Sequence, residues 1–157
     1  MTKPDHAIAG DAEAVLTASR ALLGIVAQSV APALEAVSLP QFRVLVLLSS
    51  MGPTRVGALA DRLGANVSTF SRSVDRMVAG GWVARAENPE SRREVLLELT
   101  DDGRWLVESV TVRRRRGIQA VLDQMPDAER AQLTTALQAF ATAAGEPAVD
   151  DLLPLGL

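Results

Sequence analysis

The sequence predicts a mainly α-helical fold carrying one small β-hairpin, on three observations. Alanine is abundant and aromatic residues make up 3% of the chain, a composition that favours helices over a large sheet. Apolar residues recur at intervals of three and four over most of its length, as one buried helical face requires. Two neighbouring runs, 82–87 and 94–100, have instead the β-prone and alternating character of paired strands. At 157 residues with 48% hydrophobic content, the chain is the length of a single domain, 1–157, with a sizeable core.

The first helix is expected over 11–33. Val15, Leu16, Leu22, Leu23, Val26 and Val30 form a broad apolar face, and Gly24 either weakens the helix slightly or permits a close helix approach. Pro32 and the Ser38-Leu39-Pro40 stretch mark its end. Ser38 then caps a second helix running to about Leu48, with Pro40 tolerated in its first turn and Gln41 at the capping-box position. Its Phe42, Leu45 and Val46 support the next two helices from behind. Residues 49–53 end it, and Thr54 is placed to cap the third helix.

That short third helix spans 56–63, with Val56, Leu59, Ala60 and Leu63 on one face. Gly64 closes it, because a glycine just past the last apolar position can turn left-handed and satisfy the free carbonyls, so Gly64-Ala65-Asn66 is a turn. The fourth helix covers 67–79, where Val67, Phe70, Val74, Met77 and Val78 make one stripe. Its other face carries Ser68, Thr69, Ser71, Arg72, Asp75 and Arg76.

Gly80-Gly81 stops that helix, and Trp82 begins the strand that packs under a hairpin. The loop of the hairpin is expected over 88–93, with Pro89 and the adjacent arginines Arg92 and Arg93. Thr100-Asp101-Asp102-Gly103 opens a long helix that Trp105, Leu106, Val110, Ile118, Val121 and Leu122 carry to about Gln124. Pro126-Asp127 starts the last helix. Its Leu133, Leu137, Phe140, Ala141 and Ala144 form one stripe, and Gly145-Glu146-Pro147 stops it.

Helix, tight turn, second helix and arginine-tipped hairpin, in that order, are the plan of a winged helix-turn-helix: three helices plus a two-stranded β wing, here flanked by long N- and C-terminal helices. In such a unit the second helix of the pair presents its N-terminal part to base edges in the major groove. A flexible arginine-bearing hairpin suits the minor groove, whose negative potential attracts that side chain. The candidate DNA-binding residues are therefore Ser68, Thr69, Ser71, Arg72, Arg76, Arg92 and Arg93. The hydroxyls fix register, Arg72 and Arg76 contact bases or phosphates, and Arg92 enters the minor groove. Arg93 braces the wing as readily as it touches DNA.

The segments 59–64, 74–83, 88–93 and 97–103, among them Asp75-Arg76-Met77-Val78-Ala79-Gly80-Gly81-Trp82-Val83 and Leu97-Glu98-Leu99-Thr100-Asp101-Asp102-Gly103, together resemble the multiple-antibiotic-resistance regulator (MarR) family of bacterial transcription factors. The resemblance spans nearly the whole chain and rests on the order and spacing of the pieces. It implies a winged helix-turn-helix portion over 38–104, dimerisation helices over 11–33 and 104–145, and a homodimer on a double-stranded, pseudo-palindromic operator. It also implies a small effector molecule, often aromatic or anionic, held between the dimerisation helices and the winged helix, with repression the expected sense. The wing departs from the family, which usually has aspartates where this chain has Asn88 and Ser91. Ser91 hydrogen-bonds but cannot hold an arginine by charge, which lowers the expected rigidity of the wing.

Composition narrows the alternatives. The chain has no cysteine and a single histidine, His6, so disulfides, thiol chemistry and a zinc site of the usual nitrogen and sulfur type are not expected. No glycine-rich phosphate loop or metal-ligand cluster is present, and Glu87, Glu90 and Glu94 fall in an exposed wing, so neither enzymatic activity nor a cofactor is expected. No run of about eighteen apolar residues and no signal pattern occur, which points to the cytoplasm and away from a membrane.

The net charge of −3 is a caution against nucleic acid. Between Thr54 and Arg104, however, arginines balance acids one for one, and the excess acid lies in the flanking segments. The run Arg113-Arg114-Arg115-Arg116 points all round a helix, so a solvated surface with some pairing to Glu108 or to the acidic first helix is expected of it. Arg20, Arg43, Arg104 and Trp105 are conceivable effector-pocket residues, but surface charge, or core for the tryptophan, is the simpler reading and none is assigned. The rival from another class is a winged helix used for protein contacts after loss of DNA binding. The apolar tail 152–157 either crosses onto a partner subunit or is disordered.

Overall fold

The computed structural model describes residues 5–89 and 91–145, with the side chains of residues 5–9, 67, 92 and 93 outside the description. His6 is therefore placed only through its backbone, and the tail 152–157 and the Glu146-Pro147 stop lie outside the described residues. Helix α1 (Asp5–Val30) is followed by a 3-10 turn (Ala33–Glu35), then α2 (Leu39–Met51), β1 (Thr54–Arg55), α3 (Val56–Arg62), α4 (Val67–Ala79), β2 (Val83–Asn88), β3 (Ser91–Leu99), α5 (Asp101–Leu122) and α6 (Asp127–Ala143). The fold is mainly α with a small antiparallel sheet, as expected.

Local chemistry sets these boundaries. Ser38 and Gln41 form the full capping box at the start of α2, with a proline in the first turn. Gly64 adopts φ 60°. It sits in a Schellman turn, in which the Ala65 N–H donates to the Ala60 carbonyl at 2.9 Å and the Gly64 N–H to Asp61 at 3.1 Å. The same motif ends α4 at Gly81, φ 77°, where the Trp82 N–H reaches the Met77 carbonyl at 3.0 Å. Trp82 stands half-buried just before β2, its indole lying against Gly80.

The core lies where α2 meets the winged unit. Phe42, Val44, Leu45, Leu48, Leu59, Ala60, Phe70, Val74, Met77, Val83, Leu97, Leu106 and Val110 are all buried in one cluster. Thus α2 is the central support for α3, α4 and the sheet, and α5 closes over it.

Several expectations are corrected. β2 and β3 pair as the expected two-stranded wing, but the sheet gains a third strand, in the order β1-β3-β2, with Thr54 opposite Leu97 and Arg55 opposite Leu96. Thr54 does not cap α3: its hydroxyl donates to the Gly52 carbonyl at 2.9 Å, and the residue preceding the helix is Arg55. The loop expected over 88–93 is shorter, because strand pairing continues to Asn88 and resumes at Ser91. Helix α1 begins at Asp5 and ends at Val30 rather than spanning 11–33, since one helical glycine such as Gly10 costs only about 1 kcal/mol.

Gly24 has open space at its Cβ position. The close helix approach is instead at Gly117, where an added Cβ would lie 2.8 Å from Ile25 Cγ2, so α5 supplies the gap for α1. Trp105 is 64% exposed rather than core. In the arginine run, Arg113 donates to Ser109 at 3.2 Å and Arg114 to Ser29 of α1 at 3.4 Å. Both contacts fall on hydroxyls, and the one to Ser29 ties the run to α1. Desolvation by partial burial lowers the Arg114 pKa from its ordinary value.

Candidate nucleic-acid interface

The first turn of α4 is built by Asn66. Its side-chain oxygen accepts the Ser68 N–H at 3.0 Å and the Ser68 hydroxyl at 2.7 Å, satisfying an amide that the helix leaves free. The proton of Ser68 is therefore turned toward the cap, leaving its lone pairs outward. Asn66 is a site residue that sequence reasoning reads only as part of a turn, although asparagine before the first apolar helical position is a standard cap signal.

From this start the helix divides cleanly. Phe70, Val74 and Met77 are buried, while Ser68, Thr69, Arg72, Asp75 and Arg76 are exposed and Ser71 is half-buried. Ser68, Arg72 and Arg76 stand four residues apart, which stacks them along one ridge. Neither Arg72 nor Arg76 forms an ion pair among the described residues. Arg85 of β2 is different, since it is held by Asp75 of α4 at 2.5 Å, which fastens the helix to the sheet.

The wing is irregular at its far end. Glu87 pairs with Val95, but the next residue, Asn88, pairs with Ser91. Arg92, Arg93 and Glu94 therefore stand between the two partners as a bulge of β3. The sequence-predicted residues Arg92 and Arg93 are carried by this bulge rather than by the loop tip, and their side chains lie outside the described residues. Glu94 accepts from Arg55 Nη1 at 3.0 Å and from Asn88 Nδ2 at 3.0 Å, each on a different carboxylate oxygen. No sequence signal marks this network, because Arg55 and Glu94 are 39 residues apart.

A cleft of about 490 Å³ lies between the start of α2, the α3–α4 turn and α4, with Arg43, Thr69, Phe70 and Arg76 in its wall. Arg20, Arg104 and Trp105 do not line it. Among the described residues no three His, Cys, Asp or Glu side chains are placed to share a metal ion, and no helix is long and apolar enough to cross a membrane.

Comparison with known proteins adds an independent line. The family model described as MarR family matches residues 37–95, from the cap of α2 to β3. The crystal structure of RV1404 from Mycobacterium tuberculosis superposes with a TM-score of 0.78 at 43% identity, covering 93% of this chain and 98% of that one. Among curated proteins, the uncharacterized HTH-type transcriptional regulator YfiV of Bacillus subtilis is 33% identical over 86 residues, 52% of this chain and 54% of its own length. The multiple antibiotic resistance protein MarR of Salmonella typhimurium is 34% identical over 68 residues, 43% and 47% of the two chains. The chain spans about half the length of the curated relatives it matches.

Proposed function

The chain belongs to the MarR family of winged helix-turn-helix regulators, and from that premise we propose that it is a DNA-binding transcriptional regulator acting as a homodimer on a pseudo-palindromic operator. The observation that carries this reading is the pair of exposed arginines, Arg72 and Arg76, on the outer face of α4 and uncommitted to any acid among the described residues. A cation left free beside helical hydroxyls is suited to phosphate and guanine. Ser68, Thr69 and Ser71 fix register, Arg92 enters the minor groove, and Arg93 braces the wing or touches the backbone.

In this reading 38–104 is the DNA-binding portion, and 11–33 with 104–145 form the dimer. Exposed apolar residues support the dimer: Leu16 and Leu23 on α1, Ile118 and Val121 on α5, Leu137 and Phe140 on α6. A two-fold arrangement sets the recognition helices about 34 Å apart, one turn of DNA. Occupying an operator beside a promoter excludes polymerase, so repression is the proposed sense. A small aromatic or anionic effector held between the dimer helices and the winged unit would change the helix spacing, and this needs only a few kcal/mol of differential affinity. The proposed location is the cytoplasm.

The test is fluorescence anisotropy with DNA from upstream of the protein's own gene and a shuffled duplex, over a salt series, for wild type and Arg92→Ala. Tight, salt-sensitive and selective binding that loses about 1–3 kcal/mol in the variant is expected. Feeble binding to both duplexes, with no salt dependence, would favour a protein-contact module instead.

A further inference from the structure

The arginine-bearing bulge is the stretch of β3 whose residues have no register partner on β2, since Arg92, Arg93 and Glu94 fall between the partners of Glu87 and Asn88. Something other than the β2–β3 ladder must fix it. Among the described side chains of the bulge, Glu94 is tied to both neighbouring strands: one carboxylate oxygen takes Arg55 of β1 and the other takes Asn88 of β2, each at 3.0 Å. We propose that Glu94 is the positioning residue of the wing, holding the bulge that carries Arg92 in the geometry with which it meets the minor groove. The inference rests on the DNA-binding reading above.

The wing's departures from its family fit this assignment. The usual carboxylate is missing at positions 88 and 91, and a carboxylate stands at position 94 instead. Asn88 is then the matched partner, because its amide donates to Glu94 where an aspartate would face a like charge. The contacts are half-exposed, with the Arg55 and Glu94 side chains 59% and 40% accessible. They contribute little to global stability, so their effect is local order.

This role makes a prediction of sign. A passive surface acid near phosphates only repels them, and removing its charge tightens DNA binding. A positioning acid does the opposite: Glu94→Gln sets an amide nitrogen against one of two donors and loosens the bulge. Asn88→Asp sets two carboxylates together. In the double variant, Asn88→Asp with Glu94→Gln, the amide introduced at position 94 would donate to the carboxylate introduced at position 88 while its oxygen takes Arg55, restoring both contacts with the charge moved.

The experiment uses the full-length protein and a duplex recovered by selection from a random pool, with a shuffled duplex as control. Binding is read by anisotropy, and the order of residues 91–95 in the free protein by amide relaxation. Each single variant should lose about fivefold in selective affinity, with the double variant within about twofold of wild type. Melting temperatures should stay within about 2 °C throughout. Order parameters of the bulge should fall in both single variants and recover in the double.

Tighter binding by Glu94→Gln, or unchanged wing order in both single variants, would overturn the proposal while leaving the DNA reading intact. A wild-type protein with no salt-sensitive preference for the selected duplex would overturn that reading and this one with it.

Discussion

Gly103 is where the chain tolerates least. It lies in the first turn of α5, and a Cβ there would come within 2.1 Å of the Trp82 carbonyl oxygen. The same junction is stitched by Thr100, whose hydroxyl donates to the Gly81 carbonyl at 2.6 Å and accepts the Gly103 N–H at 3.1 Å. Backbone of the wing and backbone of α5 are thus in contact with no side chain between to yield. Gly103→Ala must displace one or the other, and a cost of about 3 kcal/mol or more is expected. Thermal unfolding by circular dichroism checks it; a melting point unchanged from wild type would show that the junction relaxes freely. Gly64 is readable from sequence because its role is local, the stop of an apolar stripe. Gly103 is not, because its constraint comes from the carbonyl of Trp82, distant along the chain, which only folding brings near.

Among the elements, α4 divides labour along its length. Its N-terminal part enters the groove in the proposed complex, so Arg72 reads bases and Arg76, one turn further on, holds phosphate. The two substitutions should therefore fail differently. Arg76→Ala should weaken binding to all duplexes alike and lower the salt slope by about 0.9. Arg72→Ala should cost about 1–3 kcal/mol and relax preference at a single base position. Salt-dependent binding to a panel of single-base operator variants separates them, and identical profiles would refute the division. The bounds of α4 are legible, since an amphipathic stripe with a glycine-led turn before it and two glycines after it leaves little choice. The wing is legible only in outline. Ser91-Arg92-Arg93 is polar and reads as loop, yet β3 extends through it because Ser91 finds Asn88 across the hairpin. The bulge depends on that pairing, and β1, a two-residue strand, is too short to announce itself.

At the scale of the molecule, the described subunit leaves apolar surface that a lone chain has no reason to carry. No residue of α6 is buried, Phe140 is 56% exposed and Leu23 of α1 is 66% exposed. Periodicity reveals these stripes in the sequence, but it cannot say whether a stripe faces its own chain or a second one. Among the described side chains of α1, those drawn in are Ile25, Val26, Ser29 and Val30, with Gly117 of α5 making room beside Ile25. In a two-fold assembly every contact occurs twice, so a change at one exposed apolar position acts twice on the dimer. Burying a phenylalanine is worth about 1.5–3 kcal/mol, and Phe140→Asp should therefore raise the dimer dissociation constant by roughly a hundredfold or more. Because Phe140 is not part of the subunit core, helix content should be unchanged. Sedimentation equilibrium over a concentration series measures the dissociation. A variant that stays as tightly dimeric as wild type would remove α6 from the proposed interface. One that dissociates while keeping its helices would also bind operator less tightly at low protein concentration, because two half-sites are then engaged by subunits that must first meet.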